Sequence, residues 1–93
     1  MEIIQKDNGK SGAFIAMHNG NEVGEMTYNW LDEKNIVVNH TGVRPQYEGR
    51  GVGRQLMETC VGYARENQIK ILPLCSFVQT MFNRYPDYSD TKA

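Results

Sequence analysis

Apolar residues recur in twos along the first half of this chain and in fours along the second, and the change falls on a glycine-rich run. Over residues 22–31, Gly24, Met26, Tyr28 and Trp30 point one way and Glu25, Thr27 and Asn29 the other, as in a strand with one face buried. Over residues 50–67, Val52, Leu56, Cys60 and Ala64 recur at every fourth position. Met57, Val61 and Tyr63 widen that stripe into one face of a helix. Between the two patterns stands Glu48-Gly49-Arg50-Gly51-Val52-Gly53. Such a chain folds as sheet first and helix second, with a turn stripped of side chains at the join.

The remaining elements follow from their punctuation. Residues 2–6 predict a short strand, closed by Asp7-Asn8-Gly9-Lys10-Ser11-Gly12. Residues 13–18 predict a second, and Asn19-Gly20 is a strong hairpin turn into the third. Asp32-Glu33-Lys34-Asn35 turns the chain again, and residues 35–43 predict a fourth strand, so the first half is an antiparallel meander. Past the helix, residues 69–75 predict a fifth strand. If it lies beside the fourth, the helix is a β-α-β crossover and the two strands are parallel. A short helix over 76–84 is expected to be capped by Ser76 and stopped before Pro86, and residues 87–93 to fray. The expected class is α+β in one domain over residues 1–93.

Composition bounds the function. Ten Lys and Arg balance 11 Asp and Glu, so nucleic-acid binding has no bulk electrostatic support. No apolar run reaches membrane-spanning length, and the start does not read as a signal peptide. Two cysteines, Cys60 and Cys75, are too few for a disulfide framework, and no Cys/His spacing suggests a metal. These readings predict a cytoplasmic protein without metal, membrane or nucleic-acid partner. Exposed strand edges leave a weak homodimer open.

The glycine run sits where a strand gives way to a helix, whose first unpaired N–H groups and positive dipole end meet there. That makes an anion cradle, although such turns also arise for packing alone. No Lys-Ser or Lys-Thr follows the last glycine, which excludes the nucleotide-triphosphate loop. The spacing G-x-G-x-G also departs from the dinucleotide fingerprint G-x-G-x-x-G.

Val43-Arg44-Pro45-Gln46-Tyr47-Glu48-Gly49-Arg50-Gly51-Val52-Gly53-Arg54-Gln55-Leu56 resembles the CoA-pyrophosphate motif of the GNAT superfamily of acetyl-CoA-dependent N-acetyltransferases. The valine, proline, three glycines and leucine fall at the motif's spacing; Glu48 stands where Gln or Arg is usual. His40-Thr41, Pro73-x-Cys75 and Tyr85-Pro86-Asp87-Tyr88 extend the resemblance to a small branch lacking the helices after the first strand. That branch typically carries an acid where this chain has Gly42.

The resemblance implies a GNAT-type mixed sheet. Its fourth and fifth strands would be parallel and splayed, with a short C-terminal helix after them. It implies acetyl-CoA as cosubstrate, contacted by Thr41, Val43, Glu48, Gly49, Arg50, Gly51, Val52, Gly53 and Arg54. It also implies a small-molecule or protein amine as acceptor. The superfamily's usual proton donor, a tyrosine on the last helix, falls by register on Phe82, which cannot donate.

Two side chains are candidates for chemistry. Cys75 ends the fifth strand at a helix N-terminus, where the dipole lowers a thiol pKa, and the implied fold opens it toward the cofactor. A small buried hydrophobe is the plainer reading of a lone cysteine. His40, on the fourth strand in alternation with Val38 and Gly42, suits deprotonating an amine or a thiol, or simply tying off carbonyls. Trp30, Tyr28, Met26 and Cys60 read as packing, and His18 as exposed. An acetyltransferase is therefore expected, its alternatives being a CoA or acyl-CoA binding module without turnover and a small interaction domain.

Overall fold

The first four strands hydrogen-bond in chain order, each antiparallel to the next: β1 (Glu2–Asp7), β2 (Ser11–His18), β3 (Asn21–Asp32) and β4 (Asn35–Val43). Residues 1–93 are all described by the structure, a computed structural model. The turns follow their residue types. Asp7 accepts from the Gly9 N–H and Asn8 from those of Lys10 and Ser11, while Asn19 and Gly20 both take positive φ, as a tight hairpin requires. A crossover helix, α1 (Val52–Asn67), leads to β5 (Lys70–Pro73), which pairs parallel to β4 at the sheet edge. The helix α2 (Ser76–Arg84) and a 3-10 turn over Pro86–Thr91 complete the chain. The mixed α+β sheet matches the sequence expectation, including the parallel pairing of the last two strands. No helix is long and apolar enough to cross a membrane.

Both helices pack on one face of the sheet. The α1 stripe buries Val52, Leu56, Met57, Cys60, Val61 and Ala64 against Phe14, Met26, Tyr28 and Ile36, and α2 adds Val78, Met81 and Phe82 to the same core. Enclosing a side chain such as Leu56 contributes about 1.5–3 kcal/mol relative to leaving it in water. At the edge of that core, Tyr28 Oη donates to Asp7 at 2.5 Å and accepts from Gln5 at 2.9 Å, and Trp30 Nε1 donates to Asp7 at 2.9 Å. Gly12 is required there, since a Cβ would lie 2.4 Å from the Tyr28 ring. The opposite face of the sheet has no helix over it. There Thr27 Oγ1 donates to Asn39 and Asn39 Nδ2 to Asn29, a polar ladder that satisfies itself.

Three local expectations change. Residues 87–93 do not fray. Tyr88 and Thr91 are buried, Arg65 clasps Asp90 at 2.9 Å, and Lys92 bridges to Ile71 with the Ala93 N–H on its carbonyl. Covering the open edge of β5 satisfies backbone groups that a free tail would leave to water. The residue at the N-cap of α2 is Cys75, not Ser76, and no side chain makes a capping hydrogen bond. And β5 ends at Pro73, because the N–H groups of Leu74 and Cys75 both turn to the single carbonyl of Val38.

Candidate active site

The glycine loop is built by backbone conformation. A 3-10 turn over Pro45–Tyr47 delivers the chain to Gly49 and Gly51, whose φ angles of 78° and 79° only glycine adopts readily. Gly51 is the N-cap of α1 and offers no side chain. The first helical hydrogen bond runs from the Gln55 N–H to the Gly51 carbonyl, so the N–H groups of Val52, Gly53 and Arg54 remain free. Gly53 serves differently: a Cβ there would lie 2.8 Å from the Phe77 ring of α2, so its absence lets the two helix N-termini meet. Arg50 stacks over Tyr47 at 5.2 Å and Arg54 over Tyr85 at 4.8 Å, Arg54 also reaching Glu58 at 3.6 Å. Glu48 is exposed, and its carboxylate makes no ion pair. Val43 is half-buried against the core, opposite Gly24.

Beside this loop the sheet opens. Pairing of β4 with β5 stops at Val38 opposite Pro73, while β4 continues to Val43. Cys75 stands where the two diverge. Its Sγ lies 3.5 Å from Thr41 Oγ1, so one contact spans the gap between β4 and the start of α2. Burial pushes the Cys75 thiol up, but the Thr41 hydroxyl, the N–H groups of Val78 and Phe77 and the Thr41 N–H outweigh it. The thiol sits below its ordinary value. Cys60, enclosed under α1, is pushed up by burial alone to about 12.

His40 is elsewhere. Thr27 pairs with His40 but Tyr28 pairs with Val38, so Asn39 is an extra residue in β4. The bulge reverses the strand's alternation. Thr41 and Val43, opposite Met26 and Gly24, face the helices with Val38, whereas His40 and Gly42 lie on the uncovered face. The sequence expectation that Val38, His40 and Gly42 share a face therefore holds only for His40 and Gly42. The imidazole lies over Gly42, whose missing side chain leaves it room: a Cβ would be 3.1 Å from Nε2. Across the strands, Glu25 Oε1 is 3.8 Å from the same nitrogen. A groove of about 360 Å³ runs beside this pair, between residues 22–25 and Gly42, Val43 and Arg44.

The structure thus brings together Cys75, Thr41 and the α1 N-terminus on the helix side of the opening, with His40 on the other side. Sequence reasoning missed Glu25 as the neighbour of His40 and the Thr41 side chain as the neighbour of Cys75. Glu25 was legible only as an outward-facing residue of the third strand. No group of three His, Cys, Asp or Glu side chains is clustered to hold a metal ion.

Comparison with known proteins agrees with this geometry. The family model for GCN5-related N-acetyl-transferase matches residues 13–91. A GCN5-like protein from Staphylococcus aureus superposes with a TM-score of 0.71 at 32% identity, over 97% of this chain and 87% of that one. Tetrahymena GCN5 superposes with a TM-score of 0.69 at 16% identity, over 83% of this chain and 51% of that one. A GNAT family acetyltransferase from Elizabethkingia anophelis, solved with acetyl-CoA bound, gives 0.65 at 16% identity, over 81% and 52%. This chain spans about half the length of the latter two. No curated protein sequence matches it.

Proposed function

The chain belongs to the GCN5-related N-acetyltransferase family, and on that premise we propose that it transfers an acetyl group from acetyl-CoA to an amine, with Cys75 as the reacting thiol. The observation that carries this reading is the convergence of two helix N-termini, at Gly53 and Phe77, beside a stretch of β4 that β5 leaves unpaired. The free N–H groups of Val52, Gly53 and Arg54 suit the pyrophosphate, and Arg50 and Arg54 add positive charge at its margin. Thr41, Val43, Glu48, Gly49 and Gly51 complete the cosubstrate's surroundings. The free edge of β4 suits the amide groups of pantetheine. The acetyl-CoA in the Elizabethkingia structure supports the same ligand in a fold of the same kind.

A lowered thiol pKa raises the fraction present as thiolate, the nucleophilic form. The Cys75 thiolate attacks the thioester carbonyl, a C–S bond to Cys75 forms and the one to CoA breaks, and CoA leaves as thiolate. An amine entering from the uncovered face then attacks the acetyl-cysteine. Its proton passes to His40, and Cys75 returns as thiolate. Incubation with acetyl-CoA is expected to add one acetyl group to the wild-type chain and none to Cys75→Ala. No adduct on the wild type, with undiminished turnover in Cys75→Ala, would remove the covalent route.

A CoA-binding module without turnover is the second reading. It is favoured by Phe82, buried in the core where relatives of the implied type place a tyrosine. Thermal unfolding with CoA tests binding itself, since ligand at 100 times its dissociation constant adds about 2.7 kcal/mol. Release of free CoA thiol with a panel of amines then separates enzyme from binder.

A further inference from the structure

The extra residue in β4 decides which side chain meets Cys75. Without a bulge, strict alternation from Val38 through Asn39 would turn His40 toward the helix side and Thr41 toward water. With it, the hydroxyl of Thr41 reaches the sulfur at 3.5 Å and the imidazole stands on the far face beside Glu25. We propose that Thr41 is the positioning residue of Cys75, its hydroxyl and backbone N–H holding the sulfur as thiolate, and that His40 has no part in that activation. This rests on the reading of Cys75 as the reacting thiol.

The contacts point the same way. Thr41 lies in the part of β4 that β5 leaves unpaired, and its backbone N–H favours the thiolate form of Cys75. Phe77 and Val78, the second and third residues of α2, turn their N–H groups to the same atom without reaching the geometry of a capping hydrogen bond. Every donor around Cys75 is thus uncharged. The thiol also shares no ion pair with an imidazole, unlike a cysteine activated by a histidine. As a thiol, Cys75 donates to Thr41 Oγ1; as a thiolate it accepts from the Thr41 hydroxyl, which rotates to suit. The bond to the thiolate is charge-assisted and the stronger of the two, so the hydroxyl favours that form, and a methyl group in its place would not.

Alkylation by iodoacetamide at neutral pH, followed by intact mass, reads Cys75 alone in the whole folded chain, because Cys60 is fully buried. Thr41→Val keeps the shape and removes the hydroxyl; it is expected to react about fivefold more slowly. Thr41→Ser should return to within about twofold of the wild type, and His40→Ala should alkylate at the wild-type rate whatever its acetyl transfer. Equal rates for wild type and Thr41→Val would overturn the proposal, as would slowing in His40→Ala to the level of Thr41→Val. If circular dichroism finds Thr41→Val misfolded, Thr41→Ala makes the same comparison. The readout needs neither CoA nor an acceptor. A chain that never transfers acetyl thus leaves it intact, and its failure leaves the acetyl-transfer experiments to stand or fall alone.

Discussion

Replacing Gly51 by alanine isolates the backbone cost of the glycine loop. A Cβ at this position would meet nothing within 4 Å, so crowding contributes nothing and the φ of 79° contributes everything. Holding an L-residue in the left-handed region costs about 1–2 kcal/mol. Alanine also restricts the unfolded chain, which returns about 0.4–1 kcal/mol. The net loss is about 1 kcal/mol, and for a domain of this size about 4–8 °C in Tm. Asparagine tolerates the left-handed region and is a good N-cap residue, so Gly51→Asn should lose less than half as much.

Gly53→Ala is the complementary case, inside α1, where alanine is the better helix former by about 1 kcal/mol but its Cβ would press on the Phe77 ring at 2.8 Å. Overpacking of that kind costs about 1–3 kcal/mol, and Phe77→Leu in the same chain should relieve it. Differential scanning calorimetry of the ligand-free variants makes the comparison. A Gly51→Ala chain as stable as wild type, or no less stable than Gly51→Asn, would refute the assignment of the loop's glycines to backbone conformation. Additive losses for Gly53→Ala and Phe77→Leu would refute the contact between the two helix starts.

Other expected outcomes test the rest of the framework. Tyr28→Phe removes a hydroxyl that donates to Asp7 and accepts from Gln5, leaving both underpaired; urea unfolding should register a loss of about 1–3 kcal/mol. Asp90→Asn should loosen the C-terminal clasp, read as faster amide exchange at Ala93. The Arg65 guanidinium holds the Asp90 carboxyl below the usual carboxylate value. Its contribution is therefore present above the unfolded-state pKa of about 3.8 and lost as pH falls through the lower folded value. Wild-type exchange at Ala93, corrected for intrinsic rates, should approach that of Asp90→Asn only at that acid end. At pH 7.5, limited iodoacetamide should add one group to the folded chain and place it on Cys75, with Cys60 reacting only after unfolding.

What was legible in the sequence is what periodicity and spacing encode. Val52, Leu56, Cys60 and Ala64 gave α1 to within two residues, Asn19-Gly20 gave its hairpin, and residues 43–56 gave the loop and the family it resembles. The faces of β4 beyond Val38 were not legible, because one inserted residue reverses an alternation whose period is two and Asn39 carries no mark of being the extra one. The C-terminal residues misled for a related reason. Pro86-Asp87-Tyr88-Ser89-Asp90 is polar in composition, yet Tyr88 and Thr91 are buried, and the segment is held by Arg65 on Asp87 and Asp90 and by the bridge from Lys92 to Ile71, partners distant in sequence. Cys75 as the N-cap of α2 was missed because Ser76 is the stronger capping residue by type, and the chain's turn at Val38 set the boundary one residue earlier.

The shortness of the β4–β5 ladder has a kinetic consequence. Strands β1 to β4 close through turns of a few residues, whereas β5 must be brought back across all of α1 to form only four residue pairs, Asn35 to Val38 with Lys70 to Pro73. Loop closure is the larger cost and the ladder the smaller return, so this end of the sheet should assemble after the meander and open before it. Hydrogen exchange should then show Ile71 and Leu72 less protected than Phe14 or Met26. The region that holds Cys75 would be the last part of the molecule to acquire its shape and the first to lend it out.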